Sequence, residues 1–547
     1  MYQLSNLINN LENELEKTIN VESILLKISN NQNFDFQINN LVKFQNHKEI
    51  KNIENSFSKI IDNEILVKNF EITDNYFVNL EIDIEQFSNN FDKIKKYIKV
   101  KHPETVLLDY GGPNIGKPLH VGHLRSLNIG RSLYRIYGLA GHNVLSDIHM
   151  GDWGMPIAQI ITYIEDKKID FENINIEDLE KIYPKASKLY SKDNEFKDSA
   201  QANNKKLNEN DSKTLKKWKK LKKISIDSIK ETLETLNHKF DLWMGESDVN
   251  YLIPGMIQKL ENDGKISLDD GAYVSNFVSE PKILITKSDG SYLYLTTDLA
   301  TVLNRIKQNK IDKTLYIVDK RQNLHFEQLI KSLNYFGFGN EEYHHIAFGT
   351  INDSNGNPYK TREGDAKKLI DLFEETSSQI KKINSDLDSE TNKLLTNTVL
   401  TFSDLKTNRM TDYKFDLEKF TNISGKTGIY VQYALVRAKK LLMSSSLNLK
   451  KIKLNISDFD ESDLNLARGL IKFEYYFNLA LENNEPHHLA DYLYELSNLF
   501  NSMYQNENIL ENKKETIKLN KLKISEYFIH HSTLLMECLG LEPVEKM

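Results

Sequence analysis

The stretch Asp109–Gly154 constrains the fold of this chain more than any other segment: DYGGPNIGKPLHVGHLRSLNIGRSLYRIYGLAGHNVLSDIHMGDWG. It follows a short apolar run, Thr105–Leu108, that predicts a buried strand. A loop rich in glycine, proline and asparagine comes next, and then an apolar series at helical spacing that Gly141 closes as a C-cap. A strand, a glycine loop and a helix start in this order predict an anion-binding corner, because free N–H groups and the positive end of the helix dipole face the ligand.

Two histidines, His120 and His123, stand at the start of this predicted helix with Gly122 between them. The spacing favours a polyphosphate over a metal, because zinc pairs on a helix more often use i, i+4 spacing with a nearby carboxylate. Alone the pattern is weak, since two partly exposed histidines can simply cap a helix. Pro113-Asn114 and Lys117 upstream and the GDWG element downstream strengthen the interpretation as a phosphate site.

The strings PNIGKPLHVGHLRS and GDWG resemble the motifs of the class I aminoacyl-tRNA synthetases. Within that class the chain is similar to the arginyl-tRNA synthetase family, nearly residue for residue in these motifs. The resemblance implies ATP-dependent ligation of L-arginine to its cognate tRNA through an arginyl-adenylate, with release of AMP and pyrophosphate. It also implies ATP as a substrate with Mg²⁺, and no tightly bound cofactor.

The resemblance further implies a multidomain α/β fold. Residues 1–100 are expected to form an N-terminal α+β domain that binds the tRNA elbow. Residues 101–375 alternate strands and helices, as a Rossmann-like catalytic domain would, with a lysine-rich helical insertion at about 170–238. Residues 376–547 carry long helical patterns and are expected to form an all-α anticodon-binding bundle.

Composition fits a soluble protein with a substantial core, at 39% hydrophobic and 27% charged residues. We expect a monomer without a membrane segment. The single cysteine, Cys538, excludes an intrachain disulfide and a cysteine-based zinc site, and it favours the reducing cytoplasm as the compartment. No metal site is predicted. The net charge of −7 does not favour nucleic acid, but the run Lys216–Lys223 is locally basic. That run is either an RNA contact or a solvated helix face.

For the arginine pocket, the resemblance implies Tyr294 and Asp298, a tyrosine four residues ahead of an aspartate. A guanidinium needs a fixed carboxylate with matching fork geometry. The alternative is that Asp298 only caps a helix, because the segment reads as a strand running into a helix with Thr297 or Asp298 at the N-cap. Asp109 is a candidate second anchor.

Two neutral side chains, Asn114 and Gln322, suit the amino and carboxyl ends of the substrate. His325, which matches a histidine of the family segment, is either a nucleotide contact or a packed structural residue. The ATP-binding set is therefore Gly122, His120, His123 and His325.

The lysine-rich KMSKS loop of most class I synthetases is absent from this sequence. In its place stands GTINDSNGNPYKTREGDAKKLIDL, with Lys360 and Arg362 between Gly356 and Gly364. Flanking glycines allow a loop to move, and two cations can meet a pyrophosphate leaving group. The predicted catalytic set is therefore His120, His123, Lys117, Lys360 and Arg362, although an exposed basic turn is the alternative for the loop alone.

Two other functional classes remain open at this point. A small-molecule nucleotidyltransferase shares the histidine corner but would lack the N-terminal module and the long helical C-terminus. A non-catalytic tRNA-binding paralogue would keep those modules and lose active-site residues, whereas HVGH, Tyr294, Asp298 and Gln322 are all present here.

Overall fold

The structure is a computed structural model, and it describes residues 4–19, 24–31, 33–39, 41, 47–63, 66–74, 77–288, 290–308, 310–339, 341–353, 356–357 and 367–547. The chain divides into two compact units. Residues 100–421 form one unit, which we call the central unit. Residues 1–99 and 422–547 together form the other, which we call the terminal unit.

The N-terminal part of the terminal unit contains helices and a small antiparallel sheet. Its sheet has the order β1-β2-β4-β3. The first helix is amphipathic and buries Leu4, Leu7 and Leu11. The elements are α1 (Leu4–Ile19), β1 (Leu26–Ile28), β2 (Phe36–Ile38), α2 (His47–Asn63), β3 (Val67–Ile72), β4 (Val78–Ile82), α3 (Ile84–Ser88) and α4 (Ile94–Tyr97).

The central unit is built on a four-stranded parallel sheet with helices between its strands. The expected alternation of strands and helices is confirmed, and the insertion is helical, in α7 to α9. The elements are β5 (Thr105–Tyr110), α5 (Leu124–Ala140), β6 (Asn143–Asp147), α6 (Met155–Asp166), α7 (Ile176–Lys192), α8 (Asn194–Asn208), α9 (Ser212–Thr235), α10 (Ile253–Asn262), β7 (Ile266–Asp269), β8 (Ala272–Ser275), α11 (Tyr294–Gln308), β9 (Lys313–Ile317), α12 (Asn323–Phe336), β10 (Glu342–His345), β11 (Ile351–Asn352), α13 (Leu369–Ile383), α14 (Ser389–Leu405), β12 (Tyr413–Lys414) and α15 (Leu417–Phe420).

The parallel sheet has the order β10-β9-β5-β6, so β5 pairs with β6 on one side and β9 on the other. The chain leaves β5 in one direction and later returns on the opposite side. The gap between the carboxyl ends of β5 and β9 is therefore a topological switch point, where open α/β sheets bind ligands. HVGH follows β5 and Gln322 follows β9, so both predicted motifs lie at this edge.

Helix α5 packs very closely on β5. A Cβ atom on Gly130 would lie 2.2 Å from the Tyr110 ring, so only glycine allows this approach. The helix ends at Gly141, whose φ of +100° is left-handed, and the predicted C-cap is confirmed. Close packing at Gly130 and a defined stop at Gly141 fix the helix whose first residues follow the histidine pair.

The C-terminal part of the terminal unit is helical: α16 (Gly428–Ser445), α17 (Glu461–Ile471), α18 (Phe473–Asn483), α19 (His487–Asn506) and α20 (Glu515–Leu539). Glu474 of α18 accepts hydrogen bonds from the backbone N–H groups of Leu4 (2.9 Å) and Ser5 (3.1 Å) at the start of α1. Free N–H groups at a helix start need such acceptors. This contact helps to explain why residues 1–99 form one compact unit with the C-terminal helices.

The predicted boundary at 375 also differs from the division of the structure. Residues 376–421, with α14, belong to the central unit. A buried network explains this, because Asp404 at the end of α14 accepts from Arg125 Nε at 2.9 Å and from Asn128 Nδ2 at 3.1 Å on α5. Removing either Arg125 or Asp404 would leave the other as an unpaired buried charge, which is costly.

Candidate active site

The histidine pair forms a short turn in front of α5. His120 is the N-cap of the 3₁₀ turn Val121–His123, and its Nδ1 accepts a hydrogen bond from the Gly122 N–H at 3.1 Å. An accepting Nδ1 leaves the proton of a neutral imidazole on Nε2, which can then donate to a ligand. The two rings lie 4.0 Å apart between centroids. A Cβ on Gly122 would lie 2.8 Å from His120 Cε1, so a side chain at position 122 would clash with the His120 ring.

Both imidazoles are neutral at physiological pH. Burial lowers the pKa of His120 to about 4, with further lowering by the charges of Lys117 and Arg321. Burial lowers the pKa of His123 to about 3, and its neighbour His120 adds to the effect. The turn therefore offers neutral imidazoles rather than fixed positive charges, and His120 Nε2 is free to donate.

Of the three cations predicted for this site, Lys117 lies among the described residues. Lys117 is half-buried, with its Nζ 5.1 Å from the centre of the Tyr183 ring, and burial lowers its pKa. Lys360 and Arg362 lie outside the described residues. The chain is described again from Lys367, whose carbonyl accepts from the Val121 N–H at 2.9 Å, while the Leu369 N–H donates to Leu119 at 2.9 Å. The segment that follows the predicted loop is thus bonded directly to the HVGH turn.

Asp298 lies inside α11, so the predicted N-cap position is wrong for both Thr297 and Asp298. The helix begins at Tyr294, because the Leu293 N–H donates to Thr296 Oγ1 at 3.3 Å and closes the first turn earlier than expected. Asp298 Oδ2 instead lies 2.6 Å from His325 Nε2. His325 therefore contacts the Asp298 carboxylate that is predicted to bind the substrate's guanidinium. A contact of His325 with the nucleotide stays a prediction.

Glu246 is a candidate that the sequence reasoning missed. Burial, followed by the neighbouring carboxylates of Asp298 and Asp152, raises the pKa of Glu246 to about 8. Burial, then Glu246, Tyr183 and Asp298, raises the pKa of Tyr294. Tyr294 and Asp298 of α11 and Glu246 therefore lie close enough to interact electrostatically, and we call this group the acidic pocket. The available signal was the string GES (Gly245–Ser247), which lies in the segment that follows the helical insertion and leads back to the sheet domain.

Asp152 of the GDWG element organises this return. Its carboxylate accepts from the Ser247 N–H at 2.8 Å and from Ser247 Oγ at 2.6 Å, and it pairs with Lys222 at 2.5 Å. A Cβ on Gly245 would lie 2.6 Å from this carboxylate. Asp152 therefore fixes the backbone beside Glu246.

Asp109 does not lie open to a substrate, which differs from the expectation. Its Oδ2 accepts from Arg305 at 2.6 Å, and the same guanidinium donates to Asp147 at 2.5 Å. Arg305 joins the carboxyl ends of β5 and β6 to helix α11. One guanidinium of the chain already occupies the predicted second anchor.

The two neutral candidates lie on opposite sides of the switch point. Asn114 is exposed and forms a parallel bridge with Gly151, where a Cβ would lie 2.0 Å from Asn114 Oδ1. Gln322 is exposed in the turn Lys320–Gln322 after β9. Both positions suit a substrate held above the sheet edge.

Three of the six lysines in the basic run on α9 form ion pairs within the central unit. Lys217 pairs with Glu165, Lys220 with Glu172 at 3.2 Å and Lys222 with Asp152. These partners favour the interpretation as a structural helix face over an RNA contact.

A group of possible metal ligands in the described part of the chain lies in the terminal unit. Glu485, His487 and His488 hold their ligand atoms within 4.8 Å of one another. His488 Nε2 is already 3.1 Å from Glu485 Oε2.

Within the described ranges, no helix is long and apolar enough to cross a membrane.

Two family models match the chain. Residues 86–417 match the class I tRNA synthetase (R) catalytic domain, and residues 431–547 match the DALR anticodon-binding domain. The fold and the HVGH corner thus define a class I synthetase. Among curated relatives, an arginine–tRNA ligase of Agathobacter rectalis is 32% identical over 86% of this chain and 87% of its own. Another from Francisella tularensis subsp. novicida is 33% identical over 89% of each chain.

Solved structures agree on the fold. The chain resembles arginyl-tRNA synthetase from Plasmodium falciparum with a TM-score of 0.83 and 24% identity, over 99% of each chain. It resembles that of Thermus thermophilus with a TM-score of 0.81 and 20% identity, over 99% of this chain and 100% of the other. By its sequence matches, the chain belongs to the arginine–tRNA ligase family.

Proposed function

We propose that this chain ligates L-arginine to its cognate tRNA in two steps. The arginine carboxylate attacks the α-phosphate of ATP in line and pyrophosphate leaves; a terminal ribose hydroxyl of tRNA then attacks the acyl carbon of the arginyl-adenylate, and AMP leaves. The observation that carries this proposal is the pairing, at one sheet edge, of a phosphate corner with an acidic pocket. Little covalent catalysis by the protein is required, because positioning and charge neutralisation supply the rate.

In the phosphate corner, His120 donates through Nε2 and His123 acts beside it as negative charge grows on the phosphates. Lys117 adds a positive charge, and we assign Lys360 and Arg362 to the departing pyrophosphate. Mg²⁺ enters as the counter-ion of ATP, with oxygen ligands from the phosphates and water. We assign it no ligand from the protein.

In the acidic pocket, Asp298 and Glu246 pair with the arginine guanidinium, and Tyr294 lines the same space. His325 holds Asp298 in place. Asn114 and Gln322 position the amino and carboxyl ends, and Asp109 supports the pocket through Arg305. A lysine substrate would leave carboxylate acceptors unpaired, which supports strong discrimination in binding.

Arginine-dependent ATP–pyrophosphate exchange, with and without tRNA, tests this function. We expect exchange to require tRNA, because YKTREGD offers fewer cations than a lysine-rich loop and adds Glu363 and Asp365 beside them. tRNA can favour an active state only if it binds that state more tightly. No exchange under either condition would remove the enzyme proposal, and equal exchange in RNA-free protein would remove only the tRNA requirement.

We also propose that the chain acts as a monomer in the cytoplasm. The single cysteine, Cys538, is buried, which fits a reducing compartment without disulfides. Light scattering coupled to size exclusion would measure the mass directly, and a dimer at micromolar concentration would contradict the first part.

A further inference from the structure

One segment of the central unit, Asn408–Lys414, contacts three separate parts of the candidate site. The first is helix α5, through Arg125, which follows the HVGH turn. Arg125 donates to the carbonyls of Thr411 at 2.6 Å and Asn408 at 3.3 Å, and only 1% of its side chain is exposed. A buried guanidinium with this many acceptors has one geometry, so the segment and the start of α5 are fixed to each other.

The second part is the turn Lys320–Gln322, which carries the candidate arginine ligand Gln322. Lys320 Nζ lies 2.8 Å from Asp412 Oδ1. The backbone of Lys320 is held as well, because its N–H donates to the Phe348 carbonyl at 2.9 Å. The pairing with Lys320, followed by the Thr350 N–H, holds the pKa of Asp412 below its ordinary value. Asp412 is therefore ionised at neutral pH.

The third part is the chain that leads toward Lys360 and Arg362. The Thr350 N–H donates to Asp412 Oδ1 at 2.7 Å, and the Gly349 N–H donates to the Arg409 carbonyl at 2.8 Å. Strands β11 and β12 then pair in parallel, with Ile351 opposite Tyr413. The contact is tight, because a Cβ on Gly349 would lie 2.3 Å from Asp412 Oδ1.

We propose that Asp412 is a positioning residue for the activation step. It joins the Lys320–Gln322 turn and the Gly349–Asn352 segment to helix α5, which follows the HVGH turn. The proposal rests on the proposed function above. Asp412 need not touch either substrate. It sets the distance between the two sides of the switch point, one of which holds the phosphates and the other the arginine carboxylate.

The kinetic consequence follows from the geometry of an in-line attack. The two reacting atoms must meet within a few tenths of an ångström of the productive separation, and a shift of about 1 Å costs roughly 10²-fold in rate. Loss of Asp412 should therefore lower kcat and leave the binding of each separate substrate nearly unchanged. A merely structural residue would instead lower stability and all kinetic parameters together.

Three variants test the proposal by pyrophosphate exchange in the presence of tRNA. We expect Asp412→Ala to lower kcat by about 10- to 100-fold, with KM for arginine and for ATP within about threefold of wild type. Asp412→Asn keeps an acceptor for Thr350 and Lys320, so it should restore most of the rate. Lys320→Ala removes the same ion pair by deleting the lysine partner. If Asp412→Ala does not fold, the kcat of Lys320→Ala alone tests the proposal.

Asp269→Ala is the matched control, because Asp269 forms a comparable exposed pair with Lys282 at 2.9 Å in the same unit. It should leave kcat unchanged. Amide hydrogen exchange supplies a readout that does not depend on activity: Asp412→Ala should lose protection at Gly349–Ile351, and the control should not. Wild-type kcat in Asp412→Ala and Lys320→Ala, unchanged protection, or a parallel fall of melting temperature and both affinities would each overturn the proposal. Absence of exchange in the wild type would count against the proposed function instead.

Discussion

The phosphate corner and the arginine pocket of the central unit use burial in opposite ways. In the corner, burial lowers the pKa values of two imidazoles and leaves His120 and His123 neutral. In the pocket, burial brings carboxylates together, and Glu246 holds its proton up to a pH of about 8 because its pKa is raised by burial and by Asp298 and Asp152. The imidazoles of the corner keep the same neutral state before and after ATP binds. Glu246 of the pocket, in contrast, loses its proton at neutral pH only when a cation binds beside it.

This difference assigns selectivity and rate to different ends of the site. Neutral donors bind phosphate without the desolvation cost of extra charges, and they act most strongly where charge develops in the transition state. A pair of carboxylates repays its mutual repulsion only to a cation that reaches both, and arginine is always charged. Changes in the corner should therefore alter kcat, and changes in the pocket should alter KM for arginine.

The largest expected effect is in the corner. His123→Ala should lower the rate of arginine activation by about 10²- to 10³-fold, the cost of losing one transition-state donor, with KM for arginine unchanged. Steady-state pyrophosphate exchange measures both parameters. His123→Asn should keep the turn and still lose the rate, because it retains a polar atom near Nδ1 and lacks Nε2. His344→Ala, at an exposed edge-strand histidine, is the control. A variant that lost arginine affinity and kept its turnover would reverse the assignment.

The next effect is in the pocket. Asp298→Asn should raise KM for arginine by roughly 10²-fold and leave KM for ATP near wild type. Breaking a buried charge pair costs about 3–5 kcal/mol, and the 28% exposure of the Asp298 side chain places the effect at the low end. Asp388→Asn is a matched control, because Asp388 is a true N-cap of α14 and asparagine caps equally well. An Asp298→Asn enzyme with wild-type arginine kinetics would remove Asp298 from the pocket.

The corner could be predicted from sequence, and the pocket only in part. HVGH, its glycine and the helix it begins are neighbours in the chain, so local rules for strands, loops and caps were sufficient. The pocket joins Glu246, Asp298 and His325 from three separate segments. Local rules even misled there, because Thr296 closed the first turn of α11 early and moved Asp298 out of the cap position.

Buried charge networks were the least predictable feature. Asp109 looked like a substrate anchor because a single sequence cannot show that Arg305, 196 residues away, occupies it. Arg125 and Asp404, 279 residues apart, likewise carry no local sign of their pairing. A polar residue on an otherwise buried helix face shows that some partner exists, but only the fold shows which one. The extent of the central unit depended on such a pair.

The smallest effect that separates the two regions is the pH dependence of arginine binding. The pKa of Glu246, about 8 in the free enzyme, should fall when a guanidinium binds, so binding at pH 7 releases a proton. The arginine Kd should therefore fall by roughly tenfold between pH 6.5 and 8.5, the change expected when a group titrates over about one pKa unit, and level off above pH 8. The imidazoles of the corner, with pKa values of about 4 and 3, do not titrate in this window.

Calorimetry with tRNA present, in two buffers of different ionisation enthalpy, counts the released proton directly. The groups that face Glu246 are Asp298, Asp152 and Tyr294. His325 pairs with Asp298 and Lys222 pairs with Asp152, so both act on Glu246 through those aspartates. Glu246→Gln should abolish the slope and the proton release, while His325→Gln should retain both. If instead the slope persists in Glu246→Gln, Glu246 is not the group that releases the proton. Glu246 would then be a neutral hydrogen-bonding wall of the pocket, and arginine would be selected by a single carboxylate.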